Sequence, residues 1–154
     1  MRLPEPRLTL ARCFFFATLA CWSSVSAGDK PLSGDLAKLQ GTWQAKTGPN
    51  GDVTADLEVR GTRAVARLTQ GGRELITVRG SIALDEKAKP MTFDLVPDGE
   101  KESMYPAIYK FEGGTFTICT GSRPTGRPKQ FLAGDQGVPA IKVYKRVQAK
   151  NGKS

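Results

Sequence analysis

Side chains able to do chemistry are few in this chain and stand far apart. Cys119 and the aspartates Asp85 and Asp94 are those whose type or position first invites a functional reading. None of the 154 residues is histidine, so the side chain that most often moves protons or binds metal near neutral pH is missing. An enzyme built on this sequence would have to work with carboxylates, arginine and lysine. Asp85 and Asp94 flank a polar connector and could serve as an acid–base or calcium pair, although single aspartates at strand ends most often shape turns. No aspartate-rich loop has calcium-binding spacing. Cys119 reads either as a redox or intermolecular-disulfide thiol or as a small, partly buried apolar side chain, and nothing beside it would depress its pKa. Glycine-rich phosphate loops, serine-centred elbows and cysteine-rich metal spacings do not occur. The sequence therefore assigns no catalytic residue, no metal and no cofactor.

Charge points to surroundings rather than to a site. The chain carries 23 Lys+Arg against 15 Asp+Glu. The first 27 residues have the parts of a secretory signal: Arg2, Arg7 and Arg12, the apolar run Cys13–Ala20, and the small-x-small pattern Val25-Ser26-Ala27. The apolar run is too short for a permanent transmembrane span. The alternatives are an uncleaved anchor, or a lipoprotein lipidated at Cys21, where Thr18 stands in place of the usual leucine. Cleavage after Ala27 removes three arginines, one glutamate, Cys13 and Cys21, which leaves a net charge of +6 and Cys119 alone. Such a protein, secreted or held in the periplasm or envelope, has no internal disulfide and must stand on packing. Its positive charge is spread over most turns, with mild concentration at Arg123–Lys129 and Lys142–Lys153, and favours anionic envelope material. The run Ser122–Lys129 resembles the Gly-Arg-Pro core of minor-groove hooks. An exported protein would seldom meet chromosomal DNA, so no nucleic acid is expected. The run otherwise reads as a solvated basic loop, or as a segment in which Arg127 turns inward or caps a barrel mouth while Pro128 directs Phe131.

The elements that must position these residues are almost all strands. Gly28–Leu32 is a flexible lead-in; Ser33 is set to cap a short helix carrying Asp35, Leu36 and Leu39, which Gly41 stops. Trp43 opens the first strand. Turn signals then recur about every ten residues, the pattern of an antiparallel meander. Val53, Ala55, Leu57 and Val59 alternate with polar residues; Ala64, Ala66 and Leu68 do the same, then Ile76, Val78, Ile82 and Leu84 in phase across Gly80, a position suited to a bend. Met91, Phe93 and Leu95 follow, then Tyr105, Ala107, Tyr109 and Phe111, then Phe116 and Ile118. Phe131-Leu132 starts a short strand, Gly134–Gly137 turns, Ile141–Val147 is the last strand and residues 149–154 are a frayed tail. The expectation is an all-β domain over residues 33–148: a meander of about eight or nine strands that closes into a barrel and so hides its edges.

Gly41-Thr42-Trp43 after a short helix is similar to the Gly-x-Trp opening of lipocalin-like barrels. That resemblance implies Trp43 packed at the closed end beneath an arginine of the last strand, here Arg146. A longer series resembles an uncharacterised family of small exported domains abundant in planctomycete bacteria. It runs through Asp35–Trp43, Ile82–Asp85, Lys89–Leu95, Ala107–Phe111, Gly114–Cys119 and Arg127–Phe131. Ala107 stands where glycine is expected, Gln130 where glutamate is usual and Met91 where lysine is common. The family implies a lipocalin-like barrel and no known activity.

The functional expectation is a monomeric, non-enzymatic binding module. Its barrel interior, lined by Trp43, Phe93, Tyr109, Phe116 and Phe131 with Arg127 at hand, would hold a small apolar molecule or a peptide. The alternative is a structural envelope-associated domain acting through its basic outer surface.

Overall fold

The computed structural model describes residues 31–134 and 138–148. The stretch read as a secretory signal, with Cys13 and Cys21, most of the expected lead-in, most of the turn expected at Gly134–Gly137 and the tail from 149 lie outside the described residues.

Alternation of apolar and polar side chains produces the strands, and their closure produces the core. After a short helix α1 (Gly34–Leu39) come β1 (Gly41–Thr47), β2 (Val53–Arg60), β3 (Arg63–Gln70) and β4 (Arg73–Asp85). They are followed by β5 (Thr92–Pro97), β6 (Ala107–Glu112), β7 (Thr115–Thr120) and β8 (Ala140–Arg146). Each strand pairs antiparallel with the next, and β8 returns to β1 through Trp43–Arg146 and Gln44–Lys145, so the sheet is a closed barrel. Ala55, Leu57 and Val59 on β2 point inward and are buried, as their spacing requires. Strand β4 pairs with β3 over Arg73–Ser81 and with β5 over Gly80–Asp85. The change of partner falls at Gly80, where a Cβ would land on the Val96 carbonyl, so only glycine permits the approach. A bulge at Leu75 further bends β4 against Leu68-Thr69 of β3.

One half of the barrel is filled with aromatic rings. Phe116 sits at their centre, with Trp43, Phe93, Tyr109, Phe111 and Tyr144 at ring-centroid distances of 5.0–6.1 Å. Tilted and edge-on geometries prevail, as the ring quadrupoles favour. Helix α1 stoppers this end. Its Leu39 is fully buried and its Leu39 carbonyl accepts the Trp43 indole N–H at 2.8 Å. Arg146 lies over the Trp43 ring, Cζ to centroid 4.3 Å, and donates to the Gln40 and Lys38 carbonyls. Gly41, at φ 108°, leaves room for that guanidinium; a Cβ there would stand 2.8 Å from Nη1. Asp35 is buried beneath the helix, accepting from the Tyr109 hydroxyl at 2.9 Å and pairing with Lys38 at 2.7 Å.

Four expectations are corrected. Ser33 gives the helix no side-chain cap; the carboxylate of Glu86 accepts from the Asp35 N–H instead, at 2.8 Å. Gln40, not Gly41, is the C-terminal cap, and Gly41 already belongs to β1. Tyr105 lies outside β6, which begins at Ala107 because Pro106 has no N–H to offer a ladder. Phe131-Leu132 is not a strand, and the barrel has eight. Residues 121–134, interrupted by Pro124 and Pro128, lie instead across the outer side of β6 and β7. Ile108, Cys119 and Pro128 are buried there, and the Cys119 thiol faces the carbonyls of Gln130 and Leu132 at 3.7 Å.

Candidate cavity at the open end

Rings crowd the α1 end, and the opposite end of the barrel is left hollow. A cavity of about 390 Å³ lies there, within the range of small-molecule sites. Its floor is the upper side of the aromatic cluster, Phe93 and Tyr144. Its walls are aliphatic, among them Leu57, Ala66, Leu68, Val78, Leu95 and Ile118. Ile76, Met104, Tyr105 and Val138 also line it and are 42–50% exposed, so the rim presents apolar side chains to water. A contiguous apolar rim around a hollow is the usual mark of a binding site.

The wall is not uniformly apolar. On β8 the alternation is inverted: Val143 is 48% exposed on the outside, while Lys142 and Tyr144 on the opposite face line the cavity. Register fixes this orientation, because Lys142 pairs with inward-facing Ile118 and Tyr144 with inward-facing Phe116. Burial pulls the Lys142 ammonium below its ordinary value and pushes the Tyr144 phenol above its own, the latter helped by the charge of Asp56. Lys142 has no carboxylate or hydrogen-bond partner among the described residues. Thr120, two rungs from Lys142 along the β7–β8 ladder and on the same inward face, also lines the cavity, and its hydroxyl is buried without a partner among the described residues.

The residues the sequence singled out for the interior separate into three groups. Phe93 lines the cavity. Trp43, Tyr109 and Phe116 point inward but are consumed by packing in the filled half. Phe131 and Arg127 are outside the wall. Lys110, outward-facing between Tyr109 and Phe111, places its ammonium 5.2 Å from the Phe131 ring centre. Arg127 neither turns inward nor caps the mouth. It pairs with outward-facing Asp94 at 2.6 Å and donates to the carbonyls of Phe93 and Ala107. Those carbonyls belong to β5 and β6, whose ladder has only two residue pairs, as few as the β1–β8 seam, so Arg127 clasps one of the two shortest seams in the barrel.

Chemistry elsewhere is spare. Burial raises the Cys119 thiol above its ordinary value, and its side chain is fully enclosed, which makes it a poor nucleophile. Asp85 accepts from the Lys87 and Ala88 N–H groups as a turn former, at 2.9 and 3.2 Å. Asp94 is taken by Arg127. No three His, Cys, Asp or Glu side chains gather into a metal-holding group among the described residues. Lys142 and Thr120 were missed because a lysine in a strand that also carries Lys145 and Arg146 looks solvated; the readable signal was that Ala140, Lys142 and Tyr144 share a face with the tryptophan-capping Arg146. Comparison with protein-family models, with curated proteins and with solved structures yields no match to this chain.

Proposed function

We propose that this protein is an exported, non-enzymatic binding module that holds one small, largely apolar molecule in the open half of its barrel. The observation that carries the reading is the coexistence of a hollow apolar end with a tightly packed aromatic end in one barrel. Eight-stranded barrels can be filled entirely by their own side chains, so a hollow of this size supports a role beyond packing. The charged leader, apolar run and small-x-small site at residues 2–27 support export. The envelope-surface alternative has less behind it, because the outer arginines of β2 and β3 are largely taken. Arg60 and Arg67 pair with Glu58, and Arg63 pairs with Asp98.

Thermal unfolding in the presence of a panel of apolar metabolites and single-chain lipids tests the proposal. A ligand at a hundred times its dissociation constant should add about 2.7 kcal/mol of stability. Ala66→Trp, which places an indole in the hollow, should abolish the shift while the barrel stays folded. A panel without any stabilising compound, or a shift that Ala66→Trp leaves intact, overturns the reading. Trp43 lies in the filled half, so its emission is not the readout.

A further inference from the structure

Resting on the binding reading above, we infer that the ligand is an amphiphilic anion: an aliphatic body of about a dozen non-hydrogen atoms with a single carboxylate-like head held by Lys142. Size follows from the hollow. At the ~30 Å³ that a molecule of liquid water occupies, a cavity of about 390 Å³ has room for a chain on the scale of decanoate.

Head chemistry follows from β8. Lysine is among the residues least often turned into an apolar interior, and it is tolerated there when something compensates its charge. Here the ladder register forces it in, since turning Lys142 out would also turn Tyr144 out of the aromatic core. No carboxylate among the described residues meets it, and burial already weakens its hold on a proton. An anion arriving in the cavity would supply the countercharge that Lys142 does not find among the described residues. Two further donors flank the position on the same inward face: the Tyr144 phenol, two residues along β8, and the unpartnered Thr120 hydroxyl, diagonal to it across the ladder. Charge-assisted hydrogen bonds in a water-poor setting are the strong ones. The rest of the lining, apart from the Tyr105 phenol at the rim, offers apolar side chains and suits an alkyl chain. Burial by apolar walls also disfavours a cationic head, which would face Lys142 uncompensated.

Titration calorimetry with decanoate, 1-decanol and decyltrimethylammonium, each below its aggregation concentration, separates the two claims. The unmodified protein should bind decanoate at least about tenfold more tightly than decanol, the effect of one charge-assisted bond, and decyltrimethylammonium more weakly than decanol. Lys142→Met keeps the length of the side chain and removes the charge; it should bring decanoate down to decanol or below and leave decanol unchanged. Decanol binding as tightly as decanoate, or Lys142→Met preserving the preference, overturns the assignment of an anionic head while the binding reading stands. Failure of all three probes to bind overturns both. The ranking on the unmodified protein decides the matter even if the variant does not fold.

Discussion

A single guanidinium ties three parts of the closed end together. Arg146 covers the Trp43 ring and donates to two carbonyls at the end of α1, at a place where β1 and β8 share only two residue pairs. Barrel closure at that seam therefore leans on side-chain chemistry more than on backbone ladder. Removing it forfeits an exposed cation–π contact and two bonds from a charged donor, so Arg146→Ala should cost about 2–3 kcal/mol. Arg146→Lys keeps the charge but not the planar fork that reaches both carbonyls, and should recover less than half of that. Urea unfolding measures both; a loss below about 0.5 kcal/mol for Arg146→Ala would show that the ladder closes the barrel unaided. Gly41 belongs to the same device, because its missing side chain is what admits Nη1. The pairing of Trp43 with Arg146 is legible in the sequence only through the resemblance of Gly41-Thr42-Trp43 to the lipocalin-like opening; Gly41 reads there as a helix stop, and its part in admitting the guanidinium is visible only in the structure.

Between elements, β5 to β6 is a second short join. Two residue pairs connect them, and beyond Phe93 strand β5 has no β6 neighbour. Arg127 bridges the gap from outside through Asp94 and the Phe93 and Ala107 carbonyls. Both side chains of the ion pair are partly exposed, at 33% and 22%, so screening tempers its worth. Arg127→Met should still destabilise by about 1–2 kcal/mol, with the cost concentrated locally. Amide exchange at Asp94–Val96 and Ala107–Tyr109 should quicken while β2 and β3 keep their protection, because stability is distributed unevenly and short ladders open first. Uniform acceleration throughout the barrel would contradict a seam-specific role. The sequence marks Arg127 as meaningful but leaves it either in a solvated basic loop, turned inward, or capping the mouth. Alternation tells which side of its own strand a residue faces; it does not tell how many rungs two strands share, or where an irregular segment such as 121–134 lies. For the same reason Phe131 was expected inside and stands outside, and Lys142 was passed over: the strand Ala-Ile-Lys-Val-Tyr-Lys-Arg admits either face until its partners Phe116 and Ile118 fix the register.

Across the whole molecule, ionisable groups are distributed so that high pH works against the packed half and for the hollow one. The phenols of Tyr109 and Tyr144 are both held above their ordinary value of 10.0. Burial is the main cause in each, reinforced by Asp35 for Tyr109 and by Asp56 for Tyr144. A raised value means that the folded protein keeps a proton the unfolded chain releases. Their contribution is thus complete below about pH 10 and is lost above it, at up to about 2.7 kcal/mol per pH unit for two groups. Lys142 runs the other way. Its folded value is lowered from 10.5, so folding opposes its protonation; the penalty is full at low pH and fades as pH rises toward 10.5. Relative to Lys142→Met, the unmodified protein should then gain stability as pH rises toward 10; the Cys119 thiol, raised from 9.0 by burial, works against that gain equally in both, and both should lose stability steeply beyond 10. Lys142→Met should lose the gain and keep the decline, since burial and nearby carboxylates, not Lys142, hold the two phenols up. Urea midpoints taken across the alkaline range for both proteins, with phenolate absorbance recorded in parallel, read this directly. Two of the three phenols should ionise only as the protein unfolds. If Lys142→Met and the parent trace the same curve below pH 10, the ammonium is solvated and the hollow end carries no buried charge.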